Sequence, residues 1–283
     1  MEPLIQHISD TAKWVAIFRA EESERPDAVF HDPFARRLAG EKGEAIANQI
    51  GFSRQNSWSF IARTFAFDDF IKQHVELGYD MVINLAAGLD ARPYRMQLPA
   101  SLLWVEVDLA GILDYKEKIL ADEKPNCELL RIRQDLSDIT ARKALFKTLA
   151  GKSNKALIVS EGLLPYLDDN AVGELAQDLS AQKSFKRWVL DLMSPGLLAI
   201  LKKEMRALEE ANMPLKFAPE EGEGFFSHYG WGPLESRSFL KTAADIKRLP
   251  DELMQYAALP IPEGPKGMIP WSGVCLFENV NNT

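Results

Sequence analysis

Apolar positions in the first eighty residues recur at helical spacing, and no strand-like alternation interrupts them. In ISDTAKWVAIFRAEE, Ile8, Ala12, Val15, Ala16 and Arg19 fall near one helical face, with Ser9 or Asp10 as the N-cap. RPDAVFHDPFARRLAG reads as a proline-punctuated turn and a short helix ended by Gly40. In SWSFIARTFAFDDFIKQHVELG, Ile61, Phe65, Asp68 or Asp69, and Lys72 are a turn apart, with Gly78 as the C-cap. From Tyr79 the rhythm changes. Apolar runs of strand length occupy 81–86, 102–108, 128–133, 156–161 and 187–192, rich in the Leu, Ile and Val of strands covered on both faces. Helical stretches such as GILDYKEKILADE and TARKALFKTLAGK lie between them.

Strand–helix–strand alternation predicts an α/β fold with a doubly wound, mostly parallel sheet. Residues 1–78 are expected to form an N-terminal helical extension that covers part of the functional site, and residues 79–283 the sheet domain. Within that domain, a helical and loop lid is expected at about 194–245. It begins with the helical SPGLLAILKKEMRALEEANMP and continues into KFAPEEGEGFFSHYGWGP, where Gly, Pro and aromatics predict a loop. WSGVCLFENV predicts a final, antiparallel strand.

Composition narrows the picture only in places. A net charge of −8 argues against nucleic acid as a partner, because phosphate contacts need a positive surface. Neither a signal pattern nor a membrane-length apolar run is apparent, so a cytoplasmic protein without membrane partners is expected. Cys127 and Cys275 sit in apolar surroundings and read as core residues. His7, His31, His74 and His228 show no metal-ligand spacing, and no metal site is expected.

Chemistry concentrates where strands end, since open parallel sheets bind ligands beyond the carboxyl ends of their strands. The first strand leaves through Ala86, Ala87 and Gly88, whose small side chains let a ligand approach the backbone. Asp108 ends the second strand twenty residues after Gly88, a spacing that suits an acidic residue accepting from ribose hydroxyls. Asp135 and Leu136 follow the third strand, where a carboxylate and an amide could meet an adenine edge. Glu161 ends the fourth. Carboxylates sharing one crevice repel unless a cationic ligand or an arginine offsets them. An adenosine bearing a sulfonium and an ammonium, as in S-adenosylmethionine, meets that need.

VINLAAGLDARPYR, WVEVDLAGILDYK, RQDLSD and SEGLLPYL, with SDTAKWVAIFRAEESERPDAVFHDPFA and IARTFAFDDFI before them, resemble the leucine carboxyl methyltransferase family, including its bacterial branch linked to polyketide O-methylation. The resemblance covers roughly residues 8–192, with Tyr229-Gly230-Trp231 extending it. It implies a class I, Rossmann-like methyltransferase that uses S-adenosylmethionine and releases S-adenosylhomocysteine. Carried onto this sequence, it implies that Arg63 pairs with the carboxylate of the cofactor's methionine moiety as a bidentate fork. Lys13 matches a cofactor-proximal lysine, and Ala86 and Gly88 line the methionyl chain. Asp108 holds the ribose, Asp135 and Leu136 the adenine, Glu161 faces the ammonium, and Tyr166 sits near the transferred methyl. Arg92 and Arg95 are read as tying the corner to carboxylates such as Asp90. The family carries Gly where this chain has Ala86, so the added methyl either opposes a positive φ or, at negative φ, is harmless.

The expected reaction is methyl transfer to a carboxylate or hydroxyl of a small molecule, in which positioning supplies much of the rate. An ionised carboxylate needs no general base, whereas a phenol benefits from one. His228 is the candidate base for a hydroxyl, and the acceptor pocket is expected from the N-terminal helices and Phe225–Trp231. A protein C-terminus as acceptor, and a non-catalytic cofactor-binding module, remain alternatives. A nicotinamide-dependent dehydrogenase is a further one, though it lacks a full glycine fingerprint and leaves Arg63 and Glu161 unexplained.

Overall fold

A computed structural model describes residues 8–49, 54–205, 214–260 and 264–282 of the chain. Among the described residues seven strands form one sheet: β1 (Met81–Leu85), β2 (Leu103–Asp108), β3 (Glu128–Arg133), β4 (Ala156–Ser160), β5 (Phe185–Met193), β6 (Trp231–Ser238) and β7 (Ser272–Asn279). Their order is β3-β2-β1-β4-β5-β7-β6. The first five pair in parallel, while β7 lies antiparallel to both β5 and β6. The order reverses between β1 and β4, the place where such a sheet opens a crevice.

Side chains of β1 alternate between two cores, as pleating requires. Met81, Ile83 and Leu85 join Phe146, Leu175 and Trp188 on the face covered by α6 (Ile139–Ala150) and α7 (Asp169–Ser180). Val82 packs on the other face with Phe67, Phe70 and Ile71 of α3 (Ser57–Glu76) and Phe239 of α9 (Phe239–Asp245). The apolar stripe of α3 runs through Phe67 and Phe70, rotated from the expected one, and Lys72 is exposed.

The N-terminal extension wraps the crevice end of the sheet. Helix α1 (Ile8–Ser23) packs against α2 (Ala35–Gln49), and Gly43 is the contact that allows it: a Cβ there would lie 2.6 Å from the Lys13 carbonyl oxygen. Ser9 and Asp10 fall inside the first turn of α1 and not at its cap, and the residue before Ile8 lies outside the described residues. Gly40 does not end a helix. It kinks α2, with φ 59°, and the helix resumes. Two short helices, α4 (Arg92–Arg95) and α5 (Ala110–Ile119), follow β1 and β2.

The expected lid contracts. Helix α8 (Pro195–Glu204) forms, while residues 206–213 of the anticipated longer helix lie outside the described residues. The aromatic stretch becomes a 3₁₀ segment (Gly222–Tyr229) followed directly by strand β6, so 231–245 belongs to the sheet and to α9. Phe226 and Trp231 are fully buried against Trp188 and Phe277, and the Trp231 indole donates to the Ala176 carbonyl at 2.9 Å. These rings supply core packing that a loop could not. A last short α-helix, α10 (Met254–Ala257), follows α9. Among the described residues no helix is long and apolar enough to cross a membrane.

Candidate active site

A cavity of about 310 Å³ opens along the carboxyl ends of β2, β1, β4 and β5, beneath α1, α3 and α8. At its centre β1 leaves the sheet through Ala86 at φ 54° and Gly88 at φ 48°. Ala86 therefore holds a left-handed conformation that costs an L-residue about 1–2 kcal/mol. The turn it makes has a purpose visible in the contacts. The Gly88 amide donates to Asp108 Oδ2 at 2.7 Å, and the Leu109 amide donates to Oδ1 at 2.7 Å. Two backbone donors thus set the Asp108 carboxylate at the cavity wall, while burial pushes its pKa up and those amides work against the rise.

Behind the corner lies a continuous set of ion pairs. Arg19 meets Asp32 at 2.9 Å, and Arg95 stands 3.9 Å from the same carboxylate. Arg95 grips Asp68 as a bidentate fork, both contacts 2.7 Å, and Arg92 adds a third hydrogen bond to Asp68 at 2.6 Å. Arg92 continues to Asp90 at 2.9 Å and Glu161 at 2.8 Å. Arg63 then bonds Glu161 at 3.1 Å and reaches Asp191 at 3.3 Å. Four guanidiniums face five carboxylates, so the set carries excess negative charge even before Asp108 is added. Burial alone would raise the Asp90 carboxyl, but Arg92 and Lys116 outweigh it and hold it at about 2. Asp191 goes the other way, raised by burial that Arg63 only partly offsets.

Local sequence explains how these groups converge. Asp68 sits five residues beyond Arg63 on α3, and α3 crosses both β1 and β5. Glu161 follows β4 beside Gly162, whose φ of 68° turns the chain under Arg63; a Cβ there would meet the guanidinium at 3.5 Å. The Gly162 amide donates to Asp191 Oδ1 at 2.7 Å. Tyr166, on the 3₁₀ turn Leu164–Tyr166, borders the cavity, and burial pushes its phenol up despite a hydrogen bond with Thr11.

Arg63, Ala86, Gly88, Asp108, Glu161 and Tyr166 all line this one cavity. The other four candidates do not. Lys13 turns its ammonium over the Tyr115 ring, 4.5 Å from the centroid, because α1 presents Ala12, Val15 and Arg19 to the cavity instead. Asp135 is exposed and accepts from the Ser137 amide at 2.8 Å, so it caps its own turn, with half-buried Leu136 beside it. That loop is nonetheless tied to the cavity's end, since the Gln134 amide donates to the Asp108 carbonyl at 2.9 Å. His228 is exposed on the 3₁₀ segment and pairs with Glu221 at 2.8 Å. It is displaced from the cavity because Phe226, two residues earlier, is buried in the core. Nor do Phe225–Trp231 line the pocket; α8 and Leu215 take that place.

Sequence reasoning missed Asp191 and Asn84, which line the cavity beside the predicted groups. Both were visible as polar residues inside largely apolar strands, RWVLDL and MVINLA. Asn84 donates to Asp90 at 2.7 Å and so braces the ion-pair set. Arg92 and Arg95 have the structural role expected of them.

A profile of the leucine carboxyl methyltransferase family matches residues 12–180. A protein of Streptomyces avermitilis, named provisionally as an S-adenosyl-L-methionine-dependent methyltransferase, is 31% identical over 232 residues, covering 78% of this chain and 82% of its own. A Streptomyces coelicolor protein with the same provisional name is 30% identical over 236 residues, covering 78% and 82%. Among solved structures, a DUF574 family protein from Streptomyces avermitilis superposes with TM-score 0.59 at 13% identity, over 94% of this chain and 96% of that one. A Thermobifida fusca protein described provisionally as a methyltransferase gives TM-score 0.56 at 16% identity, over 87% and 92%. At these identities the two structures attest the fold.

Proposed function

The chain belongs to the leucine carboxyl methyltransferase family and is an S-adenosylmethionine-dependent methyltransferase, and from that premise we propose that it methylates an oxygen of a small molecule bound in the far half of the cavity. The observation that carries this reading is the charge inventory of the site: five carboxylates against four guanidiniums, with Asp108 as one more. S-adenosylmethionine carries one carboxylate against an ammonium and a sulfonium, so its net single positive charge complements that excess. The residues present fit the cofactor.

In this reading Asp108 accepts from the ribose hydroxyls, on the oxygen lone pairs that the Gly88 and Leu109 amides leave free. Arg63 uses Nε and Nη1 on Glu161 and Asp191, which leaves Nη2 for the methionyl carboxylate. Glu161 offers the ammonium a negative surface. Asp135 and Leu136, on the loop tied to Asp108, serve the adenine end. Tyr166 stands at the acceptor side, and Lys13 acts through α1 rather than by touching the cofactor. When bound, the cofactor supplies a methyl group activated by a positively charged sulfur. The chain's own contribution is to orient, to exclude water with apolar walls, and to balance charge as it moves.

Calorimetry with S-adenosylmethionine, S-adenosylhomocysteine and NAD tests the binding half of this reading. Both sulfur nucleosides are expected to bind and NAD is not. Mass-spectrometric detection of a 14-dalton gain across small-molecule carboxylates and hydroxyls, about one CH₂ per transfer, tests the other half; transfer only to peptide termini would overturn it.

A further inference from the structure

We propose that the methyl acceptor is an apolar, electrically neutral hydroxyl compound, and that Asp191 is the carboxylate that receives its proton. The inference rests on the methyltransferase reading above and adds the acceptor's chemistry to it. Asp108 ends β2 and Asp191 lies near the end of β5, with β1 and β4 between them. Three inter-strand spacings put the two carboxylates about 14 Å apart. A nucleoside held at Asp108 therefore leaves Asp191 at the opposite end of the cavity.

The walls that roof the strand ends are largely apolar. Trp14 from α1, Trp58 and Phe60 from α3, and Leu197 and Leu201 from α8 line the cavity, with Thr11, Asn56, Ser59 and Ser272 among its polar members. Its cations are already committed: Arg19, Arg63 and Arg92 line the cavity and each is ion-paired, the remaining Nη2 of Arg63 goes to the cofactor's own carboxylate in the reading above, and among the described residues no lysine lines it. A carboxylate acceptor would bring a further negative charge to a site already in negative excess, in surroundings of low dielectric. A neutral hydroxyl brings none.

A hydroxyl needs somewhere for its proton to go, and Asp191 offers the place. Its Oδ1 is held by the Gly162 amide at 2.7 Å, whereas Oδ2 has only the longer 3.3 Å contact with Arg63. Burial raises this carboxyl, which favours taking up a proton. In the step, the acceptor's O–H bond breaks and the proton passes to Asp191 Oδ2. The oxygen's electron pair forms the new O–CH₃ bond, and the pair of the broken C–S bond stays on sulfur as a neutral thioether. The cavity's total charge does not change.

The naphthalenes 2-naphthol and 2-naphthoate share one skeleton and differ in charge near neutral pH. With the full chain saturated by S-adenosylhomocysteine, calorimetry is expected to show 2-naphthol binding at least about tenfold more tightly. Asp191→Asn keeps the acceptor for the Gly162 amide and is expected to narrow that ratio by about threefold or more. Naphthoate binding as tightly as naphthol, or neither binding at about 1 mM, overturns the acceptor class. An unchanged ratio in Asp191→Asn, or loss of S-adenosylhomocysteine binding in that variant, removes Asp191 from the role. Failure of the unaltered chain to bind S-adenosylhomocysteine is a separate result, which defeats the cofactor reading before any acceptor is added.

Discussion

Two pairs of aspartates lie within one network's reach and have been put to opposite use. Asp68 and Asp90 are saturated: Asp68 takes three hydrogen bonds from Arg92 and Arg95, and Asp90 takes the Arg92 amide, its guanidinium and the Asn84 amide. Asp108 and Asp191 line the cavity, as Asp90 also does, but are held by backbone amides of the turns after β1, β2 and β4, with Arg63 adding only its long contact to Asp191. The first pair is held below the usual carboxylate range, its burial outweighed by arginines, and the second is raised by burial that its partners do not cancel. The same side chain is a structural brace when its acceptor capacity is filled from within. It is a ligand group when some of that capacity is left facing a cavity.

The contrast can be broken most sharply at Asp68. Asp68→Ala strands Arg92 and Arg95 without their shared partner in a buried setting, and a loss of about 3–5 kcal/mol in urea unfolding is expected. A loss below about 1 kcal/mol would mean that Asp68 is no brace.

Acid titration separates the pairs by sign. Asp90 is lowered to about 2 on folding, so its contribution is fully present above the ordinary carboxylate pKa of about 3.9 and disappears as pH falls towards that lower value. It amounts to about 2 kcal/mol. Asp108 and Asp191, being raised, oppose folding once ionised and cease to do so as pH falls. Asp90→Asn should therefore flatten the acid limb of the unfolding free energy, and Asp191→Asn should not. Matching profiles for the two variants would erase the distinction.

Asp108→Ala is expected to leave unfolding within about 1 kcal/mol of the parent while weakening S-adenosylmethionine binding about tenfold or more, since hydrogen bonds to a charged group are worth roughly 1.5–3 kcal/mol. Isothermal calorimetry reads the affinity, and an unaltered Kd would reject the ribose assignment. At Ala86 the effect is smaller: Ala86→Gly removes left-handed strain but loosens the unfolded chain, for a net gain of about 1 kcal/mol or less by chemical denaturation. Smallest of all, His228→Ala should change turnover by less than about twofold, the ordinary consequence of altering an exposed side chain away from the chemistry.

What the sequence by itself determined was everything governed by local periodicity. The five parallel strands, the helices between them and the carboxylate-bearing strand ends were legible because strand length, helical spacing and small-residue turns are written in consecutive residues. The twenty-residue interval from Gly88 to Asp108 pointed to a ligand-facing carboxylate, whereas the 2.7 Å hydrogen bond between the two residues is visible only in the fold. Tertiary structure alone decided which charges would be spent on one another. Arg63 and Asp191 are 128 residues apart in sequence, and their meeting follows from α3 crossing a sheet whose strand order reverses. It also decided against His228, since FFSHYGWG reads as a loop until Trp188 and Phe277 are seen to bury its aromatics. Burial and pairing depend on every surrounding element at once, and no window of consecutive residues contains that information.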